Sequence, residues 1–283
     1  IGEVEKVKKK DLLEYRNLEK NFETGTKITF KPDATIFSET VYDWKKILTH
    51  LRQQAYLTKG IHLYIQDLRD EENEQFYNFY FEGGIKSYAK FLNKQATQKH
   101  NNIFYTEKKV DDIQIELALR YVNEFQELIL PFTNNIYNPE GGTHVTGFRN
   151  ALTRTMNSYA RKKGILKEKD PNLTKEDVRE GLTCVISIKV IEPQFEGQTK
   201  AKLGNVEVKP AVEQVMAEQF MIYLEEHPKD AEAIIAKALL AAQARKAARA
   251  ARDSVLRKGA IEGMTLPGKL ADCSSRDKSK SEI

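Results

Sequence analysis

The chain has 283 residues, of which 40% are hydrophobic and 9% aromatic, enough apolar material for a real core and against wholesale disorder. Charged residues make up 30%, yet the net charge is only +4, and two cysteines far apart, Cys184 and Cys273, cannot form a disulfide framework. The five histidines show no metal-ligand spacing, and no stretch approaches the roughly 20 apolar residues of a membrane span.

In chain order the pattern is α+β. Residues 25–33 (GTKITFKPD) predict a short strand. Val41, Trp44, Ile47, Leu48 and Leu51 recur at helical spacing and predict an amphipathic helix over 40–57. Ile61, Leu63 and Ile65 alternate with His62, Tyr64 and Gln66, and residues 75–81 form a second strand, so the acidic stretch 70–74 closes a hairpin. The character changes at Glu82, Gly83 and Gly84, which places a domain boundary between 82 and 83.

A helix follows with Ile85, Tyr88, Ala89 and Leu92 on one face. Ile113, Ile115, Leu117, Leu119 and Tyr121 alternate through a long strand, for which 125–132 is the expected partner. After the loop TNNIYNPEGGTH comes a helix bearing Val145, Phe148, Leu152, Met156 and Tyr159, with Arg149, Arg154 and Arg161 on its opposite face. Thr174 and Asp177 match a capping box for a short helix ahead of a strand over 182–191. The last third is helical. Pro210 suits a first helical turn, His227 and Pro228 interrupt the run, and 230–258 is a long helix without Gly or Pro. Within it, residues 243–258 hold six basic residues and one acid, a stripe that suits an acidic partner or a solvated face. Residues 259–283 read as a linker.

One loop carries possible chemistry. QFEGQTKAKLGN, residues 194–205, sets Gln198, Thr199, Lys200 and Lys202 between Gly197 and Gly204. From the residues alone this is a solvated turn or a seat for an anion. The chain holds no GxxxxGK[ST] phosphate loop, no GxSxG elbow and no Cys/His pair for nucleophilic catalysis.

Six stretches together go further. GTKITFKPD, YFEGGIKSYAKFLNK, EGGTHVTGFRNALTRTMNSYARKKG, LTKEDVREGLTCVISIKV, PQFEGQTKAKLGN and LPGKLADCSSRD resemble, in the same order, the B subunits of bacterial DNA gyrase, a type IIA topoisomerase family. The resemblance implies that 1–82 is the C-terminal portion of a GHKL ATPase domain. Residues 83–258 would be a ribosomal-protein-S5-domain-2-like transducer ending in a long helix, and 259–283 a linker towards a TOPRIM domain. It further implies that Lys200, helped by Gln198, contacts the ATP γ-phosphate, and that Thr26 helps hold the adenine end. Arg149, Arg245, Arg249 and Arg252 would face DNA phosphates.

A start without Met and a polar end lead to the expectation of an excised piece. The family's catalytic Glu, its Mg2+-binding Asn and its ATP lid would precede this chain, so Mg2+ ligands lie outside it and the piece alone is expected to be inactive. The implied partners are DNA, the gyrase A protein in an A2B2 complex, and a second gyrase B chain on ATP binding, in the cytoplasm with no membrane. The charged stretch 8–23 (KKKDLLEYRNLEKNFE) departs from the family pattern. Two alternatives stand beside this reading: the ATPase component of topoisomerase IV, and a non-enzymatic nucleic-acid-binding module of the same α+β fold.

Overall fold

The computed structural model of the chain describes residues 26, 28–69 and 75–262. The linker beyond 262, Cys273, the 70–74 turn and the 8–23 stretch lie outside those residues. Helix α1 (Trp44–Leu57) starts where Asp43 caps it, its carboxylate accepting from the Lys46 amide at 3.2 Å. Val41 therefore sits before the helix, 75% exposed. Strands β1 (Leu63–Asp67) and β2 (Gln75–Phe79) pair antiparallel as the alternation predicts. The strand predicted over 25–33 does not form among the described residues. Ile28 and Phe30 are 79% and 71% exposed, and neither belongs to any of the sheets formed by the described residues.

After α2 (Gly84–Leu92) come β3 (Phe104–Val110), β4 (Ile113–Tyr121), β5 (Leu128–Thr133) and the two-residue strands β6 (Ile136–Tyr137) and β7 (Gly141–Gly142). Strands β3 to β6 join β8 (Leu182–Lys189) in a five-stranded sheet ordered β3-β4-β8-β5-β6. The long strand β4 thus pairs with β3 and β8 rather than with the 125–132 segment, and β5 joins β8 in parallel instead. That register carries β5 back across the sheet through the long helix α3 (Thr143–Lys162) before β8 is laid down.

The period of two in β4 and β8 divides their side chains between two cores. Ile115, Leu117, Leu119, Cys184, Ile186 and Ile188 face the inner core with Phe148, Leu152 and Met156 of α3 and Phe220 of α4 (Val208–Glu226). Ala118, Val185 and Phe132 face the outer core with Ala55 and Tyr56 of α1, Phe81, and Ile85 and Tyr88 of α2. The outer core therefore draws residues from both sides of the boundary expected at 82/83. Helices α3 and α4 approach closely at Gly147, where an added Cβ would lie 2.5 Å from the Lys209 carbonyl oxygen.

Helix α5 (Pro228–Glu262) has 35 residues and runs through Gly259, four residues past the predicted end. Its base is held by polar groups. Asp230 accepts from the Asn102 side chain at 2.9 Å and the Tyr223 hydroxyl at 2.8 Å, 3.8 Å from His100. The His100 Nε2 accepts from the Tyr121 amide, and Arg120 donates to the carbonyls of His100 and Asn101. Burial drives the His100 pKa down to about 4, against the pull of Asp230.

Candidate functional site: the Gln198–Thr199–Lys200 turn

The QFEGQTKAKLGN loop folds as a small hairpin. The Gly204 amide donates to the Gln194 carbonyl at 2.8 Å, the Glu196 amide to the Lys202 carbonyl at 2.9 Å, and Phe195 bridges to Leu203. The chain reverses over residues 197–200, where the Lys200 amide donates to the Gly197 carbonyl at 3.3 Å. Gly197 takes φ +85° and Lys200 φ +56°. The first is free for glycine, whereas the second is a left-handed conformation that few lysines adopt.

The base of the hairpin is tied to the rest of the fold. Strand β9 (Lys202–Leu203) pairs in parallel with β7, the two residues just ahead of α3. Gly142, at φ +138°, is required there, because a Cβ would meet the Leu203 carbonyl oxygen at 2.4 Å. Asn205 locks the far side, accepting from the Gln194 amide at 2.7 Å and donating to the Glu192 carbonyl at 3.1 Å. These ties explain how an exposed turn holds one shape.

The two lysines of the turn differ. Lys202 donates to Glu196 at 3.1 Å, so its charge is neutralised within the hairpin. Lys200 makes no ion pair among the described residues, and its ammonium lies 6.0 Å from the Phe195 ring centroid. A cation–π contact steadies the stem while leaving the charge available. Gln198 and Thr199 are exposed beside it. The tip therefore presents one free cation, an amide and a hydroxyl, a donor set suited to a phosphoryl oxygen.

The other predicted residues fall elsewhere. Thr26 is exposed on coil, and among the described residues no hydrogen bond joins it to the turn. Arg149 grips Glu127, with Nη2 at 2.6 Å and Nε at 3.2 Å, and Arg179 shares the same carboxylate at 3.3 Å. Arg245 is held by Asp177 through two bonds of 2.8 and 2.9 Å. That Asp also completes the predicted capping box with Thr174, around which the chain forms turns rather than a helix. Arg249 and Arg252 lie exposed on the distal half of α5, without an ion pair among the described residues. Of the predicted set, the structure brings only Gln198 and Lys200 together.

One residue escaped the sequence. Asn138, fully buried, donates its side-chain amide to the Lys200 carbonyl at 2.7 Å. An Asn between the pair Ile136–Tyr137 and Pro139 was its only signal, and turns account for most such asparagines. Among the described residues no three His, Cys, Asp or Glu side chains are arranged to hold a metal ion, and no helix is long and apolar enough to cross a membrane.

Comparison with known proteins places this arrangement. The family model for DNA gyrase B matches residues 84–254. The chain belongs to the DNA gyrase B family. It is 48% identical to the DNA gyrase B protein of Clostridium acetobutylicum over 262 residues, covering 92% of this chain and 41% of that protein. For the DNA gyrase B protein of Bacillus mycoides the identity is 50%, covering 92% of this chain and 64% of the relative. The chain thus spans between two-fifths and two-thirds of the gyrase B relatives it matches.

The 43K ATPase domain of Thermus thermophilus gyrase B, solved in complex with an aminocoumarin, superposes with a TM-score of 0.70 at 41% identity, over 79% of this chain and 60% of that one. The topoisomerase IV ATP-binding domain of Francisella tularensis follows at TM-score 0.64 and 26% identity, over 76% and 57%. The mixed α/β fold is therefore that of gyrase B and topoisomerase IV ATPase domains.

Proposed function

We propose that this chain forms part of the ATPase component of a DNA gyrase. In that reading it combines the end of the ATP-binding domain (residues 1–82) with the transducer (83–258), and 259–283 leads onward. The intact gyrase B protein hydrolyses ATP to drive double-strand passage and negative supercoiling, with gyrase A and DNA as partners in an A2B2 assembly in the bacterial cytoplasm. The higher identity to gyrase relatives favours gyrase over topoisomerase IV.

The single observation that carries the reading is Lys200, without an ion pair among the described residues, at the tip of an anchored turn, beside a Lys202 that pairs with Glu196. The substrate is ATP, and the Lys200 ammonium and Gln198 amide donate to its terminal phosphate. In a site shielded from water a charged hydrogen bond of this kind is worth roughly 1.5–3 kcal/mol. Hydrolysis removes that acceptor, so the turn is held before cleavage and released after it, and the transducer moves with it. Complete switching needs about 5.5 kcal/mol of differential binding, so Lys200 shares the task with other contacts such as dimerisation of gyrase B. Residues that hold Mg2+ belong to other parts of the intact protein, and this chain's side chains orient and neutralise phosphate. Thr26 steadies the adenine end. Arg249 and Arg252, without an ion pair among the described residues, meet DNA phosphates more readily than Arg149 and Arg245, whose guanidinium groups would first have to leave Glu127 and Asp177.

The test is ATP turnover by the intact protein carrying Lys200→Ala, beside ADP binding. Turnover reduced by about 100- to 1000-fold, with ADP binding kept, is the expected result. Unchanged turnover would remove the γ-phosphate role.

A further inference from the structure

Lys200 adopts a left-handed backbone, at φ +56°, that a β-carbon disfavours, and such a conformation persists only where its surroundings enforce it. The enforcing contacts come from the hairpin β5–β6. Asn138 donates to the Lys200 carbonyl at 2.7 Å, and the Glu140 amide donates to the Ala201 carbonyl at 3.0 Å. Every polar group of Asn138 has a partner. Its Oδ1 accepts from the Thr133 hydroxyl at 2.7 Å, its amide donates to the Pro131 carbonyl at 2.9 Å, and its carbonyl accepts from the Gly141 amide at 2.8 Å.

The same hairpin grips helix α1. Its turn residues Asn134 and Asn135 have φ of +49° and +64°, the pattern of a tight type I′ reversal. The Gln54 side chain donates to the Asn135 carbonyl at 3.3 Å, and the Asn135 side chain donates to the Thr58 hydroxyl at 3.1 Å. Asn134 faces the other way, its side chain bonded to both the amide and the carbonyl of Val190. A continuous set of hydrogen bonds therefore runs from the C-terminal end of α1, through the 133–138 hairpin, to the backbone of Lys200.

We propose that Asn138 is a positioning residue that fixes Lys200 for the terminal phosphate of a nucleoside triphosphate, and that the 133–138 hairpin ties that position to helix α1. The inference rests on the γ-phosphate reading of Lys200. Asn138 is buried and touches no substrate. It acts through the carbonyl of the residue that does.

The experiment uses the intact gyrase B protein and reads the ratio of its affinities for a non-hydrolysable ATP analogue and for ADP. Asn138→Ala is expected to lower this ratio about tenfold, with ADP affinity unchanged, because a small displacement of a charged donor weakens only the terminal-phosphate contact. In a Lys200→Ala background the same change is expected to do nothing further. An equal loss in both backgrounds would make Asn138 a structural residue and overturn the proposal. So would an unchanged ratio for Asn138→Ala where Lys200→Ala alone collapses it, and the phosphate reading would then survive. If Lys200→Ala itself leaves the ratio intact, the phosphate reading fails first and this inference with it. Should Asn138→Ala not fold, Thr133→Val removes the donor that orients the Asn138 side chain, and the same cycle decides the matter.

Discussion

The two faces of the five-stranded sheet are built differently. The inner face is closed by α3, α4 and the base of α5 over a mostly aliphatic core, with Leu117, Leu119, Leu152, Met156 and Ile186 fully buried. The outer face carries α1 and α2 over a smaller core in which Tyr56 stacks between Phe81, at 3.7 Å between centroids, and Tyr88, at 4.7 Å. Around that aromatic stack runs a polar rim. Lys59, just beyond α1, donates to Glu107 at 2.8 Å, reaches Glu116 at 3.1 Å and bonds the Tyr105 hydroxyl, all on β3 and β4. Apolar packing is non-directional and resists sliding through density alone, whereas hydrogen-bonded rims specify one arrangement and release it in discrete steps. The inner face thus holds the larger core, and the outer face is a seam between the helix that precedes residue 83 and the sheet that follows it.

The largest expected effect tests the core of the inner face. Leu152→Ala removes a fully buried side chain and should cost about 2–5 kcal/mol in denaturant unfolding. Acidification comes next and separates the faces by pH. Burial lowers the His100 pKa to about 4 from 6.5, so the unfolded chain takes up this proton first. The stability it contributes is full above about 6.5 and is lost as pH falls towards 4, on the order of 3 kcal/mol in all. On the outer face, burial opposes but hydrogen bonds to Glu107, Tyr105 and Glu116 prevail, raising the Lys59 pKa, and the bond from Lys59 leads the causes that lower that of Glu107. The Lys59 contribution is full below its unfolded pKa of 10.5 and fades only as pH rises through the raised value. The Glu107 contribution fades only as pH falls below 4.5. Burial lowers the His144 pKa to about 4 as well, so melting between pH 7 and 5 should fall through both histidines, and His100→Gln should shallow the profile without abolishing it.

A smaller effect belongs to the seam. Lys59→Met leaves Glu116, whose side chain is 9% exposed, without its cation, and should cost about 1 kcal/mol after allowance for a Lys that is itself 38% exposed. Hydrogen exchange in α1 should rise more than in α3, and an equal rise in both would erase the distinction. The smallest effect is Lys202→Ala, which breaks an exposed pair with Glu196 and should change stability by roughly 0–1 kcal/mol.

Alternation along β4 and β8 and the apolar stripe of α3 were legible in the sequence because one face of each is dry, and period alone reports that. The order of strands was not. Residues 113–121 and 128–133 are neighbours in sequence, yet β8 comes between them from more than 45 positions later, and nothing local encodes that insertion. The strand predicted at 25–33 is not formed among the described residues, where its propensity finds no edge to pair with. In the candidate site, Lys200 was visible as a lysine between glycines, whereas its freedom from Glu196 was not, because Lys202 had an equal claim to that carboxylate. Arg149 and Arg245 looked like a basic surface until Glu127, 22 residues away, and Asp177, 68 residues away, were brought against them by the fold.

The most direct measurement compares the affinity of the intact protein for a non-hydrolysable ATP analogue with its affinity for ADP, before and after Lys200→Ala. A charged hydrogen bond to the terminal phosphate predicts that the analogue weakens by roughly 10- to 150-fold while ADP is unaffected. Equal affinities for both nucleotides in the two proteins, or a loss shared by analogue and ADP alike, would contradict a lysine that reads the terminal phosphate.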